Sequence, residues 1–226
     1  SSFVPGDELE RSHLVIGIDD GEAPELQREL AKNKNFFKSS FWSDGQVRLS
    51  GREFNGMRQS PCYTHGDSAK QIDCTSCHQM HAKDGKATDE WRDDQLQVGM
   101  RGNVGCTQCH ESMATLDGLA KHTHHSPDSG GSSCYNCHMS HTSVGLMKAS
   151  RSHAITNPDV AVELATGRPN ACNQCHLDRT LAWTASNLEQ MWGIAAPPLS
   201  KEHREVAAGV RWLLSGDAGQ RMLAAW

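Results

Sequence analysis

Long apolar runs are what this 226-residue sequence most clearly lacks. Hydrophobic residues make up 37% of the chain and aromatic residues 6%, and the mean hydropathy is −0.60. Between residues 43 and 176 three apolar residues hardly ever stand together, so a purely proteinaceous core there would bury too little surface to offset chain entropy. That segment is therefore disordered, cross-linked or packed around a group that is not amino acid.

Other absences restrict the possible binding partners of the protein and its cellular compartment. The net charge is −5 and the basic residues form no blocks, which argues against nucleic acid as a partner. No apolar run approaches the roughly 18 residues of a membrane span. The first ten residues lack the charged and apolar regions of a signal peptide. The chain is therefore either cytoplasmic or a mature form that has lost its targeting segment.

Cysteine and histidine are what the sequence has in an ordered pattern. The motif CxxCH occurs four times, and it uses eight of the nine cysteines. Its members are Cys74, Cys77, His78, Cys106, Cys109, His110, Cys134, Cys137, His138, Cys172, Cys175 and His176. Disulfides or zinc would use paired cysteines, but neither requires a histidine directly after the second cysteine. Because 13 of 226 residues are histidine, four such followers have chance odds of roughly one in 10⁵.

CxxCH is the attachment signature of c-type haem, in which two thiols form thioethers and the adjacent histidine is the proximal iron ligand. The sequence thus predicts four haem c groups. Four macrocycles would also supply the packing material that the middle of the chain lacks. With about 29 residues for each haem between residues 62 and 176, the macrocycles are expected to lie close together.

The stretches "CTSCHQMH", "CTQCH", "HHSPDSGGSSCYNCHMSH", "GLMKASRSHAI" and "GRPNACNQCHLDRTLAW" resemble multihaem c-type cytochromes with doubled CxxCH motifs. The resemblance covers about residues 60 to 192. It extends more loosely to the tetrahaem cytochromes of nitrifying bacteria and to the haem core of hydroxylamine oxidoreductase. It implies a mainly α fold with extensive irregular loops and little β, packed around four covalent haems. It also implies an extracytoplasmic protein, periplasmic or extracellular, after removal of a signal peptide.

The second axial ligand of each iron is expected to be histidine. In the resembling proteins a histidine three residues after the proximal one, here His81 or His141, ligates a neighbouring haem because a helical turn directs it away from its own iron. The family pattern of a histidine before proline and a glycine-rich turn matches His125, and His153 is the fourth candidate. Among the remaining histidines, His122, His124 and His65 stay open as distal ligands. Bis-histidine ligation would favour low potentials.

The chain is predicted to have three parts: an N-terminal arm (1–60), a tetrahaem domain (61–192) and a C-terminal helical tail (193–226). In the arm, "APELQRELAK" predicts a short helix with Pro24 in its first turn, and residues 36–54 predict a short hairpin or meander around "SDG". Residues 111–125 predict a helix that "SPDSGG" ends.

The C-terminal part has a helical period. The apolar residues of the first predicted helix, which Gly193 ends, are Leu177, Leu181, Leu188, Met191 and Trp192. A second helix, capped by Ser200, would pack through Val206, Val210, Leu213 and Leu214 and end at Gly216. Asp217 would cap a third.

The leading interpretation is electron transfer through four closely spaced haems, in a soluble carrier, a complex subunit or a filament monomer. Its partners would be redox proteins or other copies of itself. The alternative is an oxidoreductase in which one open haem acts on a small nitrogen or oxygen species. Tyr63, His65 or the spare histidines of "HTHH" would then deliver protons. Cys62 has no partner in the chain; a buried thiol, an intermolecular disulfide and a thiolate near an iron remain alternatives.

Overall fold

The structure is a computed structural model that describes residues 4, 12, 24–65, 71–82, 88–145 and 148–225. In these ranges the chain forms short helices joined by irregular segments. The α-helices are α1 Pro24–Lys32, α2 Phe36–Ser40, α3 Glu53–Gln59, α4 Pro61–Thr64, α5 Cys74–Cys77, α6 Asp89–Asp94, α7 Val104–Thr107, α8 Leu116–Thr123, α9 Cys134–His138, α10 Val160–Thr166, α11 Ala171–Cys175, α12 Leu181–Trp192, α13 Lys201–Glu205, α14 Ala208–Ser215 and α15 Ala218–Ala225. Two 3₁₀ turns cover Glu111–Met113 and Gly130–Ser132.

The β structure of the described residues is one antiparallel pair, β1 His141–Gly145 and β2 Lys148–Arg151. A register irregularity lies between His141 and Ser143. This arrangement confirms the prediction of a mainly helical, loop-rich chain with little β.

The predicted helix at "APELQRELAK" is α1, and Pro24 is its first residue, where a missing N–H is tolerated. The hairpin predicted over residues 36–54 is wrong in its first half, because Phe36 begins α2. The rings of Phe36, Phe37 and Phe41 contact one another at centroid distances of 5.8 to 6.5 Å. These contacts stabilise a helical turn over the β preference of aromatic residues. The "SDG" turn does form, and Phe41 bridges Val47 across it.

The arm is joined to distant parts of the chain by buried polar contacts. The indole N–H of Trp42 donates to the Thr142 carbonyl at 3.0 Å, which fastens the arm to β1. Arg48 pairs with Asp217 at 2.6 Å, at the start of α15. Arm, central segment and last helix are therefore in contact.

The C-terminal helices contain most of the apolar core. Thr180 caps α12 and Gly193, with φ of 69°, ends it as predicted, but the helix begins at Leu181 and does not include Leu177. Its buried residues Leu181, Ala185 and Leu188 pack with Val160 of α10.

The single helix predicted after Ser200 is wrong, since α13 and α14 are separate. Ser200 does cap α13, and Gly216 and Asp217 act as predicted. The break arises because the backbone N–H groups of Ala208 and Gly209 donate to the carbonyls of Arg179 and Leu177. The face of α14 that packs against the rest of the protein also differs from the prediction.

On α14 the buried residues are Ala208, Gly209 and Trp212, whereas Leu214 is 77% exposed. Val210 and Leu213 are also exposed. The predicted apolar face therefore points mostly to solvent. In the described part of the chain the longest helix, α12, has 12 residues, and no helix has the length and hydropathy to cross a membrane.

Candidate functional site

Each CxxCH motif forms one helical turn: α5, α9 and α11 each contain both cysteines of a motif, whereas α7 contains Cys106 and ends two residues before Cys109. In three of them the histidine N–H donates to the carbonyl of the first cysteine, at 2.9 Å for His78, 3.0 Å for His110 and 2.9 Å for His176. One turn places residues i and i+3 on the same side of a helix, so both thiols of a pair can reach one group. All nine cysteines are described, and all are free of disulfides.

Two of these turns are capped by side chains. The Asp73 carboxylate accepts from the Ser76 N–H at 2.8 Å, and the Ser76 hydroxyl accepts from the Asp73 N–H at 3.0 Å. The Asn170 side chain accepts from the Asn173 N–H at 2.9 Å at the start of α11. Such caps stabilise turns that are too short to be stable alone.

Three of the four proximal histidines face a second histidine. The ring centroids of His78 and His153, of His138 and His122, and of His176 and His125 are each 6.2 Å apart. The His122 and His138 planes differ by 11°.

These separations suit a metal ion between two imidazoles. Metal–nitrogen bonds to histidine are roughly 2.0–2.1 Å long. Two such bonds in line, together with the half-width of each ring, account for centroids 6.2 Å apart. The described residues contain no group of three or more His, Cys, Asp or Glu side chains that would hold a metal by themselves. Two axial histidines and adjacent free thiols fit haem c rather than zinc.

Hydrogen bonds orient two of the histidine rings. His138 Nδ1 lies 3.1 Å from the Thr156 carbonyl oxygen, and His125 Nδ1 lies 2.6 Å from that of Thr123. A carbonyl only accepts, so Nδ1–H donates in each case and Nε2 keeps its lone pair for a metal. The pKa of His138 is lowered, mainly because the ring is buried, and the facing His122 lowers it further.

Glycines lie against two of these paired histidines. A Cβ on Gly131 would lie 2.2 Å from Cδ2 of His125, and a Cβ on Gly56 would lie 3.4 Å from Cβ of His153. The glycine-rich turn before the third motif thus has a steric role, since it leaves room for the His125 ring.

The structure places His81 and His141 differently from the expectation. The expected helical turn after the motif is wrong, because His78 bridges Leu96 in an extended segment and His141 starts β1. His81 is exposed. His141 is half-buried; burial, followed by the charge of Arg151, lowers its pKa.

Among the described residues, His110 is in no ring pair like those of the other three proximal histidines. His65 is exposed and its Nδ1 lies 2.8 Å from the Thr64 hydroxyl. His124 contacts Trp192 edge-on at 4.9 Å, and its φ of 55° ends α8. The turn at His124 lets His122 and His125 point to different proximal histidines. The spacing of "HTHH" alone does not show that both His122 and His125 lie opposite a CxxCH histidine.

Consecutive motifs lie side by side. A hydrogen bond to Cys134, then burial and the neighbouring thiols Cys62 and Cys77, raise the pKa of Cys106. Burial, then the neighbouring Cys175, raises the pKa of Cys137. Hydrogen bonds agree with this: the Cys134 N–H donates to the Asn103 side chain at 2.9 Å and the His141 N–H to the Gln174 side chain at 3.0 Å, so the second motif lies beside the third and the third beside the fourth.

Cys62 lies on α4 beside this series. Burial mainly, together with the Cys109 thiolate, raises its pKa. A half-buried, poorly ionised thiol is unreactive.

Two protein-family models match the chain. The model "Cytochrome c7 and related cytochrome c" matches residues 91–177, and the model "Doubled CXXCH motif" matches residues 65–115. No curated protein matches in a sequence search. Among solved structures, the outer cell wall cytochrome OcwA aligns at 16% identity and a TM-score of 0.41, over 99% of this chain and 56% of OcwA. The chain thus spans little more than half the length of OcwA.

Proposed function

We propose that this chain is a multihaem c-type cytochrome that transfers electrons through four haems, one on each CxxCH motif. A haem c supplies a one-electron iron couple. The two family models together include all four motifs, and every motif has the same local geometry, which supports four equivalent attachment sites.

We propose that the attachment residues are Cys74, Cys77, Cys106, Cys109, Cys134, Cys137, Cys172 and Cys175, with His78, His110, His138 and His176 as proximal ligands. The facing rings support His153, His122 and His125 as distal ligands of His78, His138 and His176. For His110, the histidines His65, His81 and His141 remain candidates, and the roles of His81 and His141 as distal ligands stay predictions.

The observation that carries the electron-transfer proposal is the contact between consecutive motifs. Because the Cys134 backbone N–H donates to the Asn103 side chain at 2.9 Å and the His141 N–H donates to the Gln174 side chain at 3.0 Å, the second attachment site lies beside the third and the third beside the fourth. Groups held on them would be close enough for electrons to pass from one to the next.

Intact-mass measurement tests the haem count. We expect the protein to exceed the polypeptide mass by four haems and to keep its colour after acid-acetone extraction, since thioethers survive acid. The matched control replaces Cys134 and Cys137 with alanine and should lose one haem. A mass of the bare polypeptide or of a zinc form would refute the proposal.

We propose that the protein acts outside the cytoplasm. Thioether attachment of haem outside the cytoplasm supports a periplasmic or extracellular protein. Within it we propose an arm (1–60), a haem domain (61–192) and a helical tail (193–226). It would act as a carrier, a complex subunit or a filament monomer, and exchange electrons with redox proteins or other copies of itself.

A second candidate function is reduction or oxidation of a small nitrogen or oxygen species at one open iron. The observation that favours it is His110, which faces no histidine in the described ranges. Electron paramagnetic resonance of the oxidised protein distinguishes the two. Four low-spin irons that ignore nitrite, hydroxylamine and peroxide indicate a carrier. One high-spin iron that binds and turns over any of them indicates the enzyme.

A further inference from the structure

Glu163 is a buried carboxylate beside the fourth motif. It lies on α10 and is 5% exposed. Its oxygens accept from the Asn170 backbone N–H at 3.3 Å, from the Asn170 amide, and from the Trp212 indole at 3.4 Å. The Arg211 guanidinium lies 4.0 Å away. A buried anion needs such partners, since an unpaired charge in the interior is strongly destabilising.

The carboxylate is close to an attachment cysteine. Asn170, which it holds, caps α11 two residues before Cys172. The pKa of Cys172 is raised to about 12, mainly by burial and to a smaller extent by the neighbouring thiols and Glu163. A backbone hydrogen bond of Cys172 has the opposite, lowering effect.

A rigid network keeps the carboxylate in place. The Asn170 amide also donates to the Asn173 side chain at 2.8 Å, and Thr184 donates to the same oxygen at 2.8 Å. The Asn173 amide donates to the backbone carbonyl of His176 at 3.1 Å. The network therefore connects the carboxylate to the backbone of the proximal histidine.

We propose that Glu163 lowers the reduction potential of the haem held by Cys172, Cys175 and His176, and that Arg211 partly offsets this effect. The inference rests on the proposed haem at the fourth motif. An electron added beside a negative charge is disfavoured, and burial keeps water and salt from screening the interaction. Arg168 is paired with Asp44 at 3.1 Å, and Arg211 also contacts the more exposed Glu202 at 3.2 Å.

The test separates the charge of Glu163 from its shape. Glu163→Gln keeps the shape and removes the charge, whereas Glu163→Asp keeps the charge and shortens the side chain. Arg211→Gln and Arg211→Lys form the corresponding pair for the cation. Each holoprotein is titrated while haem-methyl NMR signals are followed one haem at a time. The fourth haem is recognised by its proximity to Trp183, whose ring lies 4.8 Å from that of His176.

We expect Glu163→Gln to raise the potential of the fourth haem and Arg211→Gln to lower it, with smaller shifts at the third haem. The charge-keeping variants should stay near the wild-type value. A purely structural role predicts that Gln and Asp act alike, or that both Gln variants shift the potential in one direction, and either result would overturn the inference. If Glu163→Gln does not fold, the Arg211 variants test the inference: a lower potential of the fourth haem in Arg211→Gln than in Arg211→Lys supports it, and an equal or higher potential overturns it.

Failure of the proposed function is distinguishable from failure of this inference. A protein without a haem on the fourth motif has a mass one haem short and no such NMR signals. A protein with all four haems and no opposite shifts overturns only the role of Glu163.

Discussion

Replacing Gly131 with alanine tests whether the third and fourth motifs depend on the close approach of one ring. The added Cβ would lie 2.2 Å from Cδ2 and 2.5 Å from Cγ of His125, where ordinary contact begins at 3.4 Å. The ring would therefore have to retreat by about 1 Å. Overpacking of this kind typically costs about 1–3 kcal/mol when the surroundings can adjust.

The His125 ring has little freedom to adjust. Its Nδ1 donates to the Thr123 carbonyl at 2.6 Å, and its backbone N–H contacts the Thr123 hydroxyl at 3.3 Å. Ligand distances in metal sites tolerate only about 0.2 Å. A retreat of about 1 Å would break a bond to the iron on His176. We expect Gly131→Ala to turn one low-spin haem high-spin and to leave the others unchanged.

Electron paramagnetic resonance and the visible spectrum of the oxidised protein measure this change. Gly130→Ala is the matched control, because its Cβ would meet only the Asn136 amide at 3.7 Å and should keep every iron low-spin. His125→Ala should reproduce the spectrum of Gly131→Ala. If Gly131→Ala retains the wild-type spectrum, His125 is not the ligand or the close approach does not exist.

Three further outcomes are expected. His122→Ala should turn one haem high-spin, whereas His124→Ala, which removes only an edge contact with a tryptophan, should not; equal spectra would refute the pairing. Arg48→Met should lower the free energy of unfolding by about 1–2 kcal/mol in denaturant titration, since its ion pair is three-quarters buried, and Arg92→Met in an exposed pair should change it far less. If His141 binds no iron, burial, which lowers its pKa, makes the native state bind fewer protons than the unfolded chain. Its stability contribution is then complete above about pH 6.5 and is lost as the pH falls, so His141→Gln should flatten the acid loss between pH 7 and 5; an unchanged slope would contradict this.

The local features that could be predicted from the sequence are those set by a few neighbouring residues. The caps at Ser200 and Asp217 and the stop at Gly193 form as predicted, because a side-chain oxygen or a positive φ is a local property. The motif turns are local in the same sense.

Long-range contacts decided the rest. The split between α13 and α14 follows from hydrogen bonds to Leu177 and Arg179, which no periodicity within the tail shows. Both His122 and His125 lie opposite a CxxCH histidine in the proposed pairing, and this arrangement depends on the left-handed turn at His124. That conformation is uncommon for a residue other than glycine, and the spacing of the histidines gives no sign of it.

The order of the paired histidines along the chain has a consequence for how the protein is assembled during synthesis. His122 and His125 precede His138 and His176, so each partner already exists when its motif emerges from an N-to-C synthesis. His78 must instead wait for His153, which follows it by two whole motifs. Under the proposed pairing, the first of these three motifs is the only one that emerges before its second imidazole. The first motif is therefore where we expect completion of the ligand set to be delayed.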